Sequence, residues 1–317
     1  MRFPNITSLR RSLILCSALF FATAPAAESL WRGERGASQF GKEMTLANQL
    51  ATQAAELHST SRSQARGTAS NAVDAYKKAS ALAPLDPEPH YRIAEVLYAH
   101  FLSPRTERTH TLAHLALKHW DTFAKLAPLD PRATEFLHRR SLVLTTLATP
   151  ERYLAALKDY ETLITRGHAV GNYQAAHILG NMAELYMMRN ELGSAIDHYQ
   201  QALNYRKIMF HQIGYAVALD RDGQIDKARA VLNITPGQLN AFENDIKAGN
   251  GFFVPSGEGY YYYALANEVL GNANKAVVNY QRFIRSGAYP VYHPRARENI
   301  AALRRNTAKK RKPRNTR

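Results

Sequence analysis

Cysteine is almost missing from this 317-residue chain; the one present is Cys16. If the first residues are a leader, the chain beyond it has no internal disulfide, no thiol nucleophile and no thiolate metal site. Signatures of catalysis are missing too. There is no G-x-S-x-G elbow, no Walker-type phosphate loop, no G-x-G-x-x-G and no H-E-x-x-H. No catalytic residue, resident metal or cofactor is therefore assigned. Acids are fewer than bases, 26 against 41, giving a formal charge of +15. That excess is not spread evenly. Three cations (Arg2, Arg10, Arg11) lie in the first eleven residues and eight lie between Arg304 and Arg317, neither stretch containing an acid. Setting these aside leaves +4 for the body, so no basic domain face of the kind that grips nucleic acid is indicated.

The first residues read MRFPNITSLRRSLILCSALFFATAPAAESL. A cationic start is followed by the apolar run Leu13 to Ala22, then by Ala24 and Ala26 at the −3 and −1 places of an A-x-A site. That order predicts a secretory signal peptide over 1–26. The run is about half the roughly 20 residues that cross a bilayer as a helix. A periplasmic or secreted chain is expected, membrane-anchored if the leader stays on. Arg10-Arg11 before Ser12-Leu13-Ile14 loosely resembles a twin-arginine export signal. A lipid anchor at Cys16 is disfavoured, because Leu15 stands where lipoprotein processing needs a small residue.

What is abundant is helical periodicity, and it repeats. The string LAPLDP occurs at 82–87 and again at 126–131, each time closing a helix-length segment. Upstream of each copy, Ala72, Tyr76 and Ala79 match Ala116, Trp120 and Phe123 at intervals of 4 and 3. The rule returns as Ala156, Tyr160, Leu163; as Ala195, Tyr199, Ala202; as Ala276, Tyr280, Phe283; and weakly as Ala228 with Leu232. Such intervals put the residues on one helical face. The small residue lets a neighbouring helix come close, and the aromatic fills the gap one turn on. Proline stops one helix and starts the next.

This spacing resembles the tetratricopeptide repeat family. The best copy runs from Leu179 to Ala202, with Leu179, Met182, Ala183 and Tyr186 on a first helix and Ala195, Tyr199 and Ala202 on a second. Tyr260 to Phe283 is similar, except that Asn267 stands where an aromatic is expected. The resemblance implies an all-α, right-handed solenoid of about six helix hairpins over 27–303, closed by a polar-faced capping helix from Pro294 to Arg305. A segment at about 233–259 fits least. It is expected to hold a short helix from Pro236 to Lys247 capped by Thr235, as an insertion between the fifth and sixth repeats.

The resemblance and the charge pattern give two sets of candidate contact residues. The family's geometry places Tyr91, Glu95, Tyr98, His177, Asn181, Glu184, Met188 and Glu268 on inner faces of first helices, where a protein or peptide partner would lie. In the run Tyr260 to Tyr263, Tyr260 and Tyr263 fit the packing positions, which leaves Tyr261 and Tyr262 for the surface or groove. The second set is the tail: Arg304, Arg305, Lys309, Lys310, Arg311, Lys312, Arg314 and Arg317, expected to be disordered over 304–317. Behind a signal peptide such a tail suits anionic lipid headgroups or lipopolysaccharide rather than nucleic acid. His110 and His114 share a helical face, but His119 points elsewhere and no third ligand is near, so they read as exposed or packing histidines.

The functional expectation is an interaction scaffold or adaptor of the bacterial cell envelope. The rivals are an envelope enzyme or accessory domain acting on cell-wall polymer, and a membrane-tethered assembly factor. Paired carboxylates in a cleft would favour the enzyme, and a groove lined by Tyr, Asn and Glu the scaffold.

Overall fold

The computed structural model describes residues 34–102, 110–166, 171–248 and 251–311. The leader expected over 1–26 and tail residues Lys312, Arg314 and Arg317 lie outside them. Among the described residues there is no strand.

Six helix pairs succeed one another: α1 (Glu34–Leu57) with α2 (Arg62–Leu82), α3 (Pro87–Phe101) with α4 (His110–Leu126), and the short α5 (Arg132–Glu135) and α6 (Leu137–Thr146) with α7 (Pro150–Arg166). Then come α8 (Asn172–Met188) with α9 (Leu192–Tyr205), α10 (Met209–Arg221) with α11 (Ile225–Val231), and α13 (Gly259–Val269) with α14 (Ala273–Ser286). The helix α12 (Pro236–Lys247) is inserted before the sixth pair, and α15 (His293–Arg311) closes the array. Each pair packs on itself and on its neighbours, giving the expected all-α array of helix hairpins with a closing helix.

Local chemistry sets these boundaries. In the first copy of LAPLDP the aspartate caps the helix that begins next, Asp86 Oδ1 accepting from Glu88 N at 2.9 Å. In the second, Asp130 Oδ1 accepts from Arg132 N at 2.9 Å from one place before the N-cap Pro131. Pro87 then occupies the first turn of α3, where its missing N–H is harmless. Inside the later hairpins the turn needs one left-handed residue, supplied by Asn190 (φ 62°), Gly223 (81°) and Gly271 (77°).

The small–aromatic rule is the packing rule of the molecule. Ala72, Tyr76, Ala79, Ala116, Trp120, Phe123, Ala156, Tyr160, Ala195, Tyr199, Ala202, Ala228, Leu232, Ala276, Tyr280 and Phe283 are all fully buried. Burying one large apolar side chain stabilises by about 1.5–3 kcal/mol, so these positions carry the array. Helix α8 joins two bodies of core. Ile178, Met182 and Leu185 belong to the core of the first pairs, and Ala183 and Met187 to that of the last.

Two expectations need correction. Tyr261 and Tyr262 are fully buried, whereas Tyr260 and Tyr263 are only partly so. The 3₁₀ turn Ser256–Glu258 leads straight into α13, which sets a register that turns Tyr261 and Tyr262 inward. The segment from 304 is not unfolded throughout, because α15 continues to Arg311 with Arg304 and Arg305 exposed. Buried Ile300 and Leu303 anchor this helix. Elongation from an anchored helix avoids the nucleation penalty, and cations near its C-terminus oppose the helix dipole favourably.

The insertion holds the expected helix capped by Thr235, and the cap is a reciprocal box: Thr235 Oγ1 accepts from Gln238 N at 3.3 Å, and Gln238 Oε1 accepts from Thr235 N at 2.8 Å. It folds back onto the array instead of looping out. Leu239 and Phe242 are buried, and Phe253 stacks on Phe210 at 5.6 Å between ring centres. The end of the chain folds back as well. Tyr292 Oη donates to the Met187 carbonyl at 2.7 Å, and Tyr289 Oη donates to the Val254 carbonyl.

Candidate functional site

A buried Tyr or Trp needs a partner for its polar tip. Here first helices supply it. Tyr76 Oη donates to Asn48 Oδ1 at 2.6 Å, Trp120 Nε1 to Glu95 Oε1 at 3.1 Å, and Tyr280 Oη to Glu268 Oε2 at 3.2 Å. Asn181 Nδ2 donates to Tyr160 Oη at 3.2 Å, and Tyr199 Oη donates to Glu184. Four candidate contact residues (Glu95, Asn181, Glu184 and Glu268) therefore hold the packing aromatics in place. Glu95 also pairs with Arg139 at 3.1 Å, and Glu268 with Arg229 at 2.6 Å. Tyr91 lies beneath the Arg132 guanidinium at 4.7 Å, and the Tyr98 ring sits 6.1 Å from Trp120.

The candidates on α8 come together elsewhere. His177, Asn181, Glu184 and Met188 line a cavity of about 620 Å³, facing His138, Leu142 and Thr145 of α6 and Met209, Phe210 and His211 of α10. Phe242 of α12, Phe252 and Phe253 of the loop after it, and Glu258 complete it. Three successive first helices thus form the walls and the insertion covers them. Tyr91, Glu95 and Tyr98 lie outside this cavity on α3, and Glu268 lies on α13.

Three acids line the cavity: Glu184, Asp245 and Glu258. Glu184 also accepts from Tyr262 Oη, at 2.9 and 2.8 Å to its two oxygens. Burial pushes its carboxyl up to about 7, against the pull of the two tyrosine hydroxyls. Glu258 Oε1 meets Arg221 at 2.7 Å in a buried pair, the guanidinium lying 4.4 Å from the Tyr261 ring centre and 4.0 Å from that of Tyr292. Beside Arg221, Asp220 accepts from Tyr261 Oη, Arg295 and Asn299 at 2.6, 2.7 and 2.9 Å, which draws α15 onto α10. His211 is 2 % exposed, packed edge-to-face with His177 at 5.4 Å, and burial lowers its pKa to about 3.

Sequence reasoning missed His211, Asp220, Arg221 and Glu258. The one signal was their type, charged or polar residues inside or beside apolar helical stretches. In the histidine cluster, His119 Nδ1 lies 2.9 Å from His90 Nδ1, and His114 is exposed. Among the described residues no group of three or more His, Cys, Asp or Glu is placed to hold a metal, and no helix is long and apolar enough to cross a membrane.

Five of the six hairpins keep the small–aromatic rule buried at their crossing, and the fifth in order substitutes Leu232 for the aromatic; the later pairs turn through a left-handed residue, and a closing helix follows. The fold is that of the tetratricopeptide repeat. No protein-family model matches the sequence, and no curated protein matches it. Tetratricopeptide-like solved structures similar to this chain include MamA (41-end) from Desulfovibrio magneticus RS-1, at 18 % identity and TM-score 0.45, covering 61 % of this chain and 92 % of that one. The pilF protein of Pseudomonas aeruginosa is 13 % identical with TM-score 0.46, covering 80 % and 97 %. The P58(IPK) TPR domain is 13 % identical with TM-score 0.38, covering 88 % and 70 %.

Proposed function

We propose that this chain is an adaptor of the bacterial cell envelope, and that its repeats hold a segment of a partner protein on their inner, concave face, in the cavity between α6, α8 and α10. The observation that carries the reading is the wall-and-cover arrangement. Three first helices supply a mostly apolar wall with a few fixed polar groups, and Phe242 and Phe253 of the insertion form an aromatic cover. That is the make-up of a binding site. The A-x-A leader supports export.

A photo-crosslinking residue at Met188, in cells producing the full chain, tests the adaptor. A discrete adduct with one protein is expected there, and none from Leu129, which is 96 % exposed on an inter-repeat turn. The same adducts from both positions would refute the groove. Mass measurement of exported protein should show a chain beginning at Ala27; a full-length, membrane-retained product would refute cleavage.

A second reading has its own observation. Glu184 and Glu258 are two carboxylates at one cavity, one of them held near 7, as an enzyme acting on cell-wall polymer would need. Against it, two tyrosine hydroxyls occupy Glu184 and Arg221 holds Glu258. Release of soluble fragments from purified cell-wall polymer, lost in Glu184→Gln, would favour the enzyme over the adaptor.

A further inference from the structure

Arg206 stands at the rim of the cavity, on top of one of its walls. The residue ends α9 in extended backbone, and its guanidinium lies 4.8 Å from the ring centre of Tyr173, a lining residue that is 54 % exposed. Tyr173 packs edge-to-face on His177 at 4.4 Å, and His177 on His211 at 5.4 Å. Tyr173 and His177 are four places apart on α8, so they share one of its faces. The wall is thus a column that begins in solvent at Arg206 and Tyr173 and ends at His211, 2 % exposed. Two places after Arg206, Ile208 opens the run of lining residues that closes at His211.

Charge differs between the interior and the rim. Among the described residues no lysine or arginine lines the cavity. Inside it, Glu184 accepts from the hydroxyls of Tyr199 and Tyr262, and Glu258 meets Arg221 at 2.7 Å, so that pair adds no net charge. Burial lowers the pKa of both His177 and His211, which keeps the rings neutral. Around them lie Leu142, Met187, Met188, Met209, Phe242 and Phe253. A carboxylate entering there would meet two acids, and a cation would find both already engaged. An uncharged apolar group suits the interior, with the flexible thioethers adapting to its shape. At the rim the balance reverses. Arg206 and Lys207 are exposed, and among the described residues neither pairs with an acid. Asp245, the third lining acid, is exposed on α12 with Lys247 two places on. With its face on Tyr173, the Arg206 guanidinium has its N–H edge left for a carboxylate, which it can hold through two bonds.

We infer that the cavity selects a partner segment carrying a large uncharged apolar side chain with an aspartate or glutamate beside it. The apolar side chain enters the cavity, and the carboxylate stays outside on Arg206, with Lys207 adjacent. An exposed tyrosine overlaid by an arginine is the kind of pair on which interfaces concentrate their binding energy. This rests on reading the cavity as the partner groove and says which segment the groove takes.

Selection of a phage-displayed random peptide library on the full chain tests it. Enriched peptides should carry Phe, Trp, Leu or Met beside, or one place from, Asp or Glu. Calorimetry then compares the best peptide with a form in which that acid is replaced by its amide. The amide form should bind wild type about three- to five-fold more weakly, as for an exposed charge pair, and the difference should vanish in the double variant Arg206→Gln, Lys207→Gln. Both substitutions are at exposed positions, and circular dichroism should show unchanged helical content. Ala241→Trp, at an exposed lining position on α12, should abolish binding of both forms with helical content likewise unchanged. Enriched peptides without an acid, equal binding of the two forms to wild type, or a difference that persists in the double variant overturns the inference. So does binding that Ala241→Trp leaves intact, or failure to enrich any peptide. A discrete Met188 adduct beside any of those results leaves the adaptor standing, whereas absence of the adduct removes the adaptor itself.

Discussion

Glu88 and Arg132 occupy the same place in two successive copies of one sequence string, and their side chains meet at 2.7 Å. The residue after LAPLDP is an acid in the first copy and a base in the second. Arg132 also holds the aspartate of its own copy, Asp130, at 2.7 Å, and Glu88 holds Arg92 at 2.6 Å. A turn that starts each helix thereby also fixes the distance between neighbouring repeats. Equivalent positions differ in charge because they face each other.

The packing rule makes a direct demand on stability. Ala195 is fully buried at the crossing of α9 with its neighbours. Ala195→Leu should destabilise by about 1–3 kcal/mol through overpacking. Leu129→Ser, on a fully exposed turn, should stay within about 0.5 kcal/mol. Chemical denaturation of the two variants checks both values.

Glu184 should give the fold a pH signature. Its folded value of about 7 lies above the ordinary 4.5, so the folded chain holds this proton more firmly than the unfolded one. The resulting stabilisation is complete below about 4.5 and is lost as pH rises to about 7, a few kcal/mol at most. The groups acting on the carboxyl are Tyr199 of α9, Tyr262 of α13, Glu258 and Arg221. His211 contributes the opposite slope, present above 6.5 and lost as pH falls toward 3, but it is common to wild type and variant. Melting temperatures across pH 4.5 to 7.5 should therefore show Glu184→Gln gaining on wild type as pH rises. A constant difference would remove Glu184 from the account.

The Arg221–Glu258 pair separates the effect of breaking a buried pair from that of replacing it. Arg221→Met alone leaves a buried carboxylate without its cation and should cost about 3–5 kcal/mol. Adding Glu258→Leu should recover much of that loss, because two apolar side chains need no partner. Urea denaturation of the single and double variants reads this directly.

The basic end of the chain carries the proposed contact with anionic lipid or lipopolysaccharide. Near an anionic surface each Lys or Arg contributes about 1 kcal/mol, fading within a Debye length of about 8 Å at physiological salt. Deleting 304–317 should abolish salt-sensitive sedimentation with anionic vesicles. The melting temperature should hardly change, because among the described residues Leu303 is the last buried one of α15 and Arg304 and Arg305 are exposed. Full vesicle binding by the truncated chain would place the anionic site on the repeats.

Much of the architecture was legible because it is local and repeated. Ala195, Tyr199 and Ala202 announce a buried helix face by spacing alone, and Thr235 before Pro236 announces a helix start. Tyr261 and Tyr262 were misplaced because spacing cannot tell which side of four consecutive tyrosines is inward. That depends on the turn at Ser256–Glu258 and on Asp220 and Glu184, 41 and 78 residues away in sequence. Glu95 and Glu268 were named as candidate contact residues, but not as partners of Trp120 and Tyr280. The cavity was invisible as a unit. Its walls come from separate repeats, and His211 and Glu258 belong to no recurring motif.

The hydrogen bond from Tyr292 to Met187 spans 105 positions and links the closing segment to the fourth hairpin, past the fifth. A stack in which units touch only their neighbours can fray inward from an end, one unit at a time. Such a long-range tie makes release of the last hairpin depend on loosening the middle of the chain. Amide hydrogen exchange in α13 and α14 should then track that of α8, so that the C-terminal half opens as one unit.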